Sequence, residues 1–87
     1  MRHLELTDLT RLLRECAGEE EGVDLDGDVL DMLFLDLGYD SLALLQTTGR
    51  IEREYEITLD EEAIDEAETP RQYIELVNRV LSTRVSV

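Results

Sequence analysis

In three separate stretches of this chain the apolar residues recur at every third or fourth position, the spacing that gathers side chains on one face of an α-helix. Leu9, Leu12, Leu13 and Cys16 make the first stripe. Leu44, Thr48, Ile51 and Tyr55 make the second, and Tyr73, Ile74, Val77, Val80 and Leu81 the third. A chain patterned in this way must bring helical faces together. The expected class is therefore all-α, a small four-helix bundle of three principal helices and one short helix. The first helix is expected from about Thr7, the N-cap candidate, to Ala17, with Gly18 as the stop signal. The second is expected from Ser41 to about Tyr55, capped by Asp40. A short helix fits around Glu61 to Glu66. Thr69-Pro70-Arg71-Gln72 opens the last: Thr69 caps, Pro70 suits the first helical position and Gln72 completes a capping box. The tail from Ser82 onward, about residues 83–87, reads as frayed.

The chain has 87 residues, the size of one small domain, taken as 1–87. Aromatic residues are only 5% of it, so the core is expected to be aliphatic. Between the first two helices lies a long connection, Glu19 to Asp40. It carries Val23, Leu25, Val29, Leu30, Met32, Leu33, Phe34, Leu35 and Leu37, too many large apolar groups for a solvated linker. It reads as a long ordered first loop, pinned to the core, with a short helical turn from Val29 to Leu33.

A formal net charge of −14 disfavours nucleic acid and anionic membrane surfaces, both of which call for a basic face. Basic patches on protein partners are the natural counterpart. Cys16 is the single cysteine, which rules out an internal disulfide and fits a reducing compartment. No apolar run approaches membrane-spanning length, and the start Met1 to Glu5 lacks the apolar segment of a signal peptide. A cytoplasmic monomer is expected.

Little in the chain suggests catalysis. Ser41 as a nucleophile needs a base within hydrogen-bond reach, and the single histidine, His3, lies near the start of the chain. Its surroundings are not Gly-x-Ser-x-Gly. Cys16 falls on the buried face of the first helix and reads as a small core residue. Asp24-Leu25-Asp26-Gly27-Asp28 has the look of a calcium loop, but its glycine and its twelfth position, Leu35, do not match one. No catalytic residue and no metal ligand is expected. What stands out is Ser41 itself, at the junction of an irregular segment and a helix. Its hydroxyl sits beside unpaired backbone N–H groups and the positive end of the helix dipole, a favourable place for a phosphate. Leu42 and Leu45 lie on a different side of this helix from the core stripe and are left to be explained.

The run Leu37-Gly38-Tyr39-Asp40-Ser41-Leu42 resembles the attachment motif of acyl carrier proteins. Phe34 to Leu45, with Arg50-Ile51-Glu52-Arg53-Glu54-Tyr55, most resembles the discrete carriers of bacterial type II (aromatic) polyketide synthases. The length, the acidity, the long first loop and the Thr-Pro before the last helix agree. The resemblance implies a non-catalytic carrier, a phosphoprotein with 4′-phosphopantetheine from coenzyme A on Ser41. Gly38, Asp40 and Leu42 would support the motif. It implies acyl intermediates held as thioesters for polyketide, including antibiotic, biosynthesis. The implied partners are a phosphopantetheinyl transferase, an acyltransferase, a ketosynthase and tailoring enzymes with basic docking surfaces. Asp40, Leu42, Leu45, Gln46 and Glu52 are the expected recognition residues. Arg71 is expected to be a solvated residue, or else to contact the arm or a partner. Leu35, Met32-Leu33, Gln46 and Gly49 depart from the family pattern and leave partner choice open. The alternatives are a carrier of fatty acyl, aminoacyl or peptidyl groups, and an acidic interaction module with no prosthetic group.

Overall fold

The computed structural model describes residues 3–18 and 29–85. The calcium-loop-like stretch Asp24–Asp28 and the acidic run that precedes it lie outside the described residues. Four helices follow one another among the described residues: α1 (Leu6–Ala17), α2 (Ser41–Tyr55), α3 (Glu61–Glu66) and α4 (Pro70–Val85). None is long and apolar enough to cross a membrane.

Helix ends follow the polar residues that satisfy them. α1 is capped by Glu5 and not by Thr7, because Asp8 reaches back to accept from the Glu5 N–H at 3.0 Å. Thr7 is already inside the first turn, and its carbonyl accepts from the Thr10 hydroxyl at 3.2 Å. Gly18 closes α1 with φ 78°, a left-handed angle that glycine adopts without penalty, and its N–H donates to the Arg14 carbonyl at 3.0 Å. α2 and α3 have the expected bounds. At α4 the Thr69 hydroxyl accepts from the Gln72 N–H at 3.3 Å, while the Gln72 side chain accepts from the Glu68 N–H at 2.8 Å. The reciprocal bond of the expected capping box therefore falls one residue early. α4 continues through Val85, past the point where the tail was expected to fray.

α1 packs on α2 along one side and on α4 along another, and α3 leans on α4. Leu9, Leu12 and Leu13 are buried, as are Ile51, Tyr55, Tyr73, Val77 and Leu81, so all three stripes face inward. Each such leucine contributes roughly 1.5–3 kcal/mol. Cys16 is only half-buried and stands at the margin of the α1 face, outside the core. The aromatic residues correct the aliphatic expectation more sharply. Phe34, Tyr39, Tyr55 and Tyr73, which are all the aromatics of the chain, are buried. Phe34 and Tyr73 meet edge to face, with ring centroids 5.9 Å apart and planes at 80°. The Tyr73 hydroxyl shares a 2.7 Å hydrogen bond with Thr48. Few rings are present, but they occupy the centre.

The connection before α2 is ordered from Val29 onward by links at both ends. The Tyr39 hydroxyl donates to the Gly18 carbonyl at 2.9 Å, tying the residues before α2 to the end of α1. The Phe34 N–H donates to the Glu68 carbonyl, and the Arg71 N–H to the Leu30 carbonyl, each at 2.9 Å. The Arg71 guanidinium forms a two-point pair with Asp31 at 2.7 and 3.1 Å, so Arg71 clamps the loop. These hydrogen bonds hold the Asp31 carboxyl below its usual range. The turn expected from Val29 to Leu33 is a single bond, Met32 N–H to the Val29 carbonyl at 3.1 Å. The denser turning comes later, between Leu33 and Tyr39.

Candidate functional site

The turn that delivers the chain to α2 is built from residues 33–39. The Leu37 N–H reaches the Leu33 and Phe34 carbonyls at 3.2 and 3.0 Å, and the Gly38 N–H reaches the Leu35 carbonyl at 3.1 Å. The Tyr39 N–H returns to the Phe34 carbonyl at 3.0 Å. Phe34, Leu37 and Tyr39 point inward and are buried, while Leu35, Asp36 and Gly38 are exposed. The chain escapes this knot through Gly38, whose φ of 88° belongs to the left-handed region. Apolar anchors on one side and a glycine hinge on the other thus fix where α2 begins.

Asp40 is extended and accepts from the Ala43 N–H at 3.0 Å, the N-cap bond expected of it. Ser41 follows as the first helical residue and is exposed. Its hydroxyl has no histidine beside it: His3 lies instead 3.4 Å from the Asn78 side chain on α4. Among the described residues no cluster of histidine, cysteine or carboxylate side chains could hold a metal ion. Ser41 thus presents an exposed hydroxyl with no imidazole next to it. An exposed hydroxyl at the positive end of a 15-residue helix fits a phosphodiester.

Beside Ser41 opens a cavity of about 430 Å³. The loop supplies Leu33, Phe34, Leu35 and Tyr39 to its wall, α2 supplies Leu44 and Leu45, and the α3 side supplies Ile64 and Ala67. Asp40, Glu61, Asp65 and Glu68 also line it. Sequence reasoning singled out Ser41, Asp40 and Leu45 but not the α3 wall. The signal there is slight, an isoleucine and an alanine three apart in an acidic segment.

The expected recognition residues divide into two groups. Leu42, Leu45 and Gln46 are exposed near the start of α2, with Asp40 beside them. Glu52 is half-buried two turns on, and its carboxylate accepts from the Leu59 N–H at 2.8 Å. It therefore holds the connection between α2 and α3, and stands apart from the Ser41 end.

This geometry agrees with the relatives of the chain. The family described as "Phosphopantetheine attachment site" matches residues 11–77. The oxytetracycline polyketide synthase acyl carrier protein of Streptomyces rimosus is 58% identical over 94% of this chain and 86% of its own length. The actinorhodin polyketide synthase acyl carrier protein of Streptomyces coelicolor is 46% identical over 91% of this chain and 92% of its own. The solution structure of octanoyl acyl carrier protein from that actinorhodin synthase superposes with a TM-score of 0.87 at 43% identity, covering 94% of this chain and 95% of the other. The matched segment contains the turn, Ser41 and the cavity wall. The chain belongs to the phosphopantetheine-attachment family and, within it, to the acyl carrier proteins of polyketide synthases.

Proposed function

We propose that Ser41 is the residue through which this carrier bears its 4′-phosphopantetheine arm. The observation that carries the assignment is the position of Ser41: an exposed hydroxyl at the head of α2, directly after the Asp40 cap and beside an open cavity. Gly38 sets the turn that presents the hydroxyl, and Asp40 fixes the helix end and places a carboxylate next to it. A phosphopantetheinyl transferase supplies the base and takes the arm from coenzyme A. When bound, the arm supplies a terminal thiol on which acyl groups are held as thioesters. The chain itself tethers and presents, and turnover belongs to its partners, whose active sites see a high local concentration of the tethered group.

Leu42 and Leu45, with Asp40 and Gln46 beside them, form the face offered to those partners. An apolar helix face of this kind suits a groove on an acyltransferase, a ketosynthase or a tailoring enzyme. Acidic neighbours steer the encounter with basic docking surfaces. Glu52, bonded to Leu59, contributes charge at a distance from that face. The unpaired Cys16 is compatible with work in the cytoplasm.

The test is the intact mass after incubation with coenzyme A and a broad-range phosphopantetheinyl transferase, with Ser41→Ala alongside. One phosphopantetheine increment on the wild type and none on Ser41→Ala is the expected result. An increment that survives in the variant would move the attachment to another residue.

A further inference from the structure

Two walls of the cavity beside Ser41 come from distant parts of the chain. Leu33, Phe34 and Leu35 belong to the loop before α2, and Ile64, Ala67 and Glu68 to α3 and its junction with α4. Ties of two kinds close the seam between them. The Phe34 N–H donates to the Glu68 carbonyl and the Arg71 N–H to the Leu30 carbonyl. Beside these backbone bonds stands the two-point pair of the Arg71 guanidinium with Asp31.

The loop side of this seam is unevenly anchored. Phe34 is buried, and its ring packs edge to face against Tyr73. Leu30 is only half-buried, and Asp31, Met32 and Leu33 are exposed. Residues 30–33 thus lack a side chain sunk in the core, and Arg71 holds them against the start of α4 through both its N–H and its guanidinium. α4 itself packs on α1, so it is the loop segment that can yield. The side chains of Arg71 and Asp31 are 52% and 69% open to solvent. A pair so exposed is weak and is loosened by salt, although its two-point geometry places it among the stronger of its kind. Segments held by few buried contacts and exposed bonds are the ones that open locally while the rest of a fold stays closed.

We infer that the Asp31–Arg71 pair is a latch on the cavity. Closed, it holds residues 30–33 against α4. Open, it frees them to move outward, and Leu33, which lines the cavity, moves with them and widens it for an apolar guest. The role is separate from the bearing of the arm, since it concerns the wall and holds whichever residue carries the attachment.

The test uses the full chain without its arm and compares wild type with Asp31→Ala, Arg71→Gln and the two combined. Amide hydrogen exchange followed by NMR reads the seam at Phe34 and Arg71, whose N–H groups cross it, and the turn at Leu37 and Tyr39, whose N–H groups bond within the loop. Protection at Phe34 and Arg71 is expected to fall about two- to five-fold in each single variant and no further in the double, the mark of two residues acting as one tie. Leu37 and Tyr39 are expected to keep the wild-type protection. Raising sodium chloride from about 10 to about 300 mM is expected to lower protection at the seam in the wild type and to have no such effect on the double variant. Titration with Nile red, a neutral apolar dye on which the lost charges exert no pull, is expected to give a Kd lower by the same factor in each variant. Unchanged protection at the seam in both single variants, losses that add in the double, or an equal loss at Leu37 and Tyr39 would overturn the latch. Dye that binds the variants no more tightly than the wild type, or binds none of them, would refute its control of the cavity.

Discussion

At Tyr73 a single buried hydroxyl couples the packing of the core to pH. The ring is buried against Phe34, and the hydroxyl meets Thr48 at 2.7 Å. Burial pushes its pKa from 10.0 up to about 12, with the Thr48 hydrogen bond pulling partly the other way. In the unfolded chain the proton leaves near the ordinary value, whereas in the folded chain it stays on. Between these two values the unfolded state binds fewer protons, so stability falls as pH rises through this window and is untouched by this group below it. Urea midpoints measured from pH 8 to pH 12 should show that fall, and Tyr73→Phe should make it shallower. Thr48 was legible as part of a helical stripe, but its pairing with Tyr73 was not, because a period states which face a residue occupies and not which atom it meets. Arg71 shows the same limit. Its position at a helix start was readable, while its two-point pair with Asp31 joins residues far apart in the chain.

At the level of elements, the helices were the most legible part of the fold. The bounds of α2 and α3 follow from Asp40, the apolar stripe and the acidic segment. The α1 start was displaced because Asp8 completes a box with the Glu5 backbone, a contest between Glu5 and Thr7, two positions apart, that composition alone leaves undecided. The cavity wall from α3 was hidden, since a helix of six residues has too little period to declare a face. On α2, Gly49 occupies a helix interior where an added Cβ meets nothing within 4 Å. Glycine is there about 0.8–1 kcal/mol less favourable than alanine. Gly49→Ala should therefore raise the melting temperature by about 4–8 °C, followed by circular dichroism, while arm loading at Ser41 stays at the wild-type level.

For the whole molecule, charge is the governing quantity. Several of the eight arginines are engaged in ion pairs on the surface: Arg50 bridges Glu15 and Glu54 at 3.0 and 3.2 Å, and Arg11 reaches Glu15 at 3.5 Å. Such exposed pairs contribute little individually. The excess carboxylates repel one another, and the face around Ser41 shares in that excess. Raising sodium chloride from about 10 to about 300 mM should therefore raise the melting temperature, because screening weakens the repulsion. A melting temperature that stays level or drops would show that repulsion is not a significant term. The same screening should slow encounter with a basic partner, so salt acts oppositely on the stability of the carrier and on its traffic.

The bond from Tyr39 to Gly18 has a consequence for how such a chain can vary. It closes the backbone between the two residues into a ring whose ends are fixed. Its later part, from Val29 to Tyr39, is itself pinned, by the bonds of Arg71 to Leu30 and of Phe34 to Glu68, and its turn delivers Ser41. A residue inserted there would drag those anchors out of register, and one inserted between Tyr39 and Ser41 would part the cap from the helix it begins. Along this stretch exchange of side chains is an open route for variation and change of length a closed one.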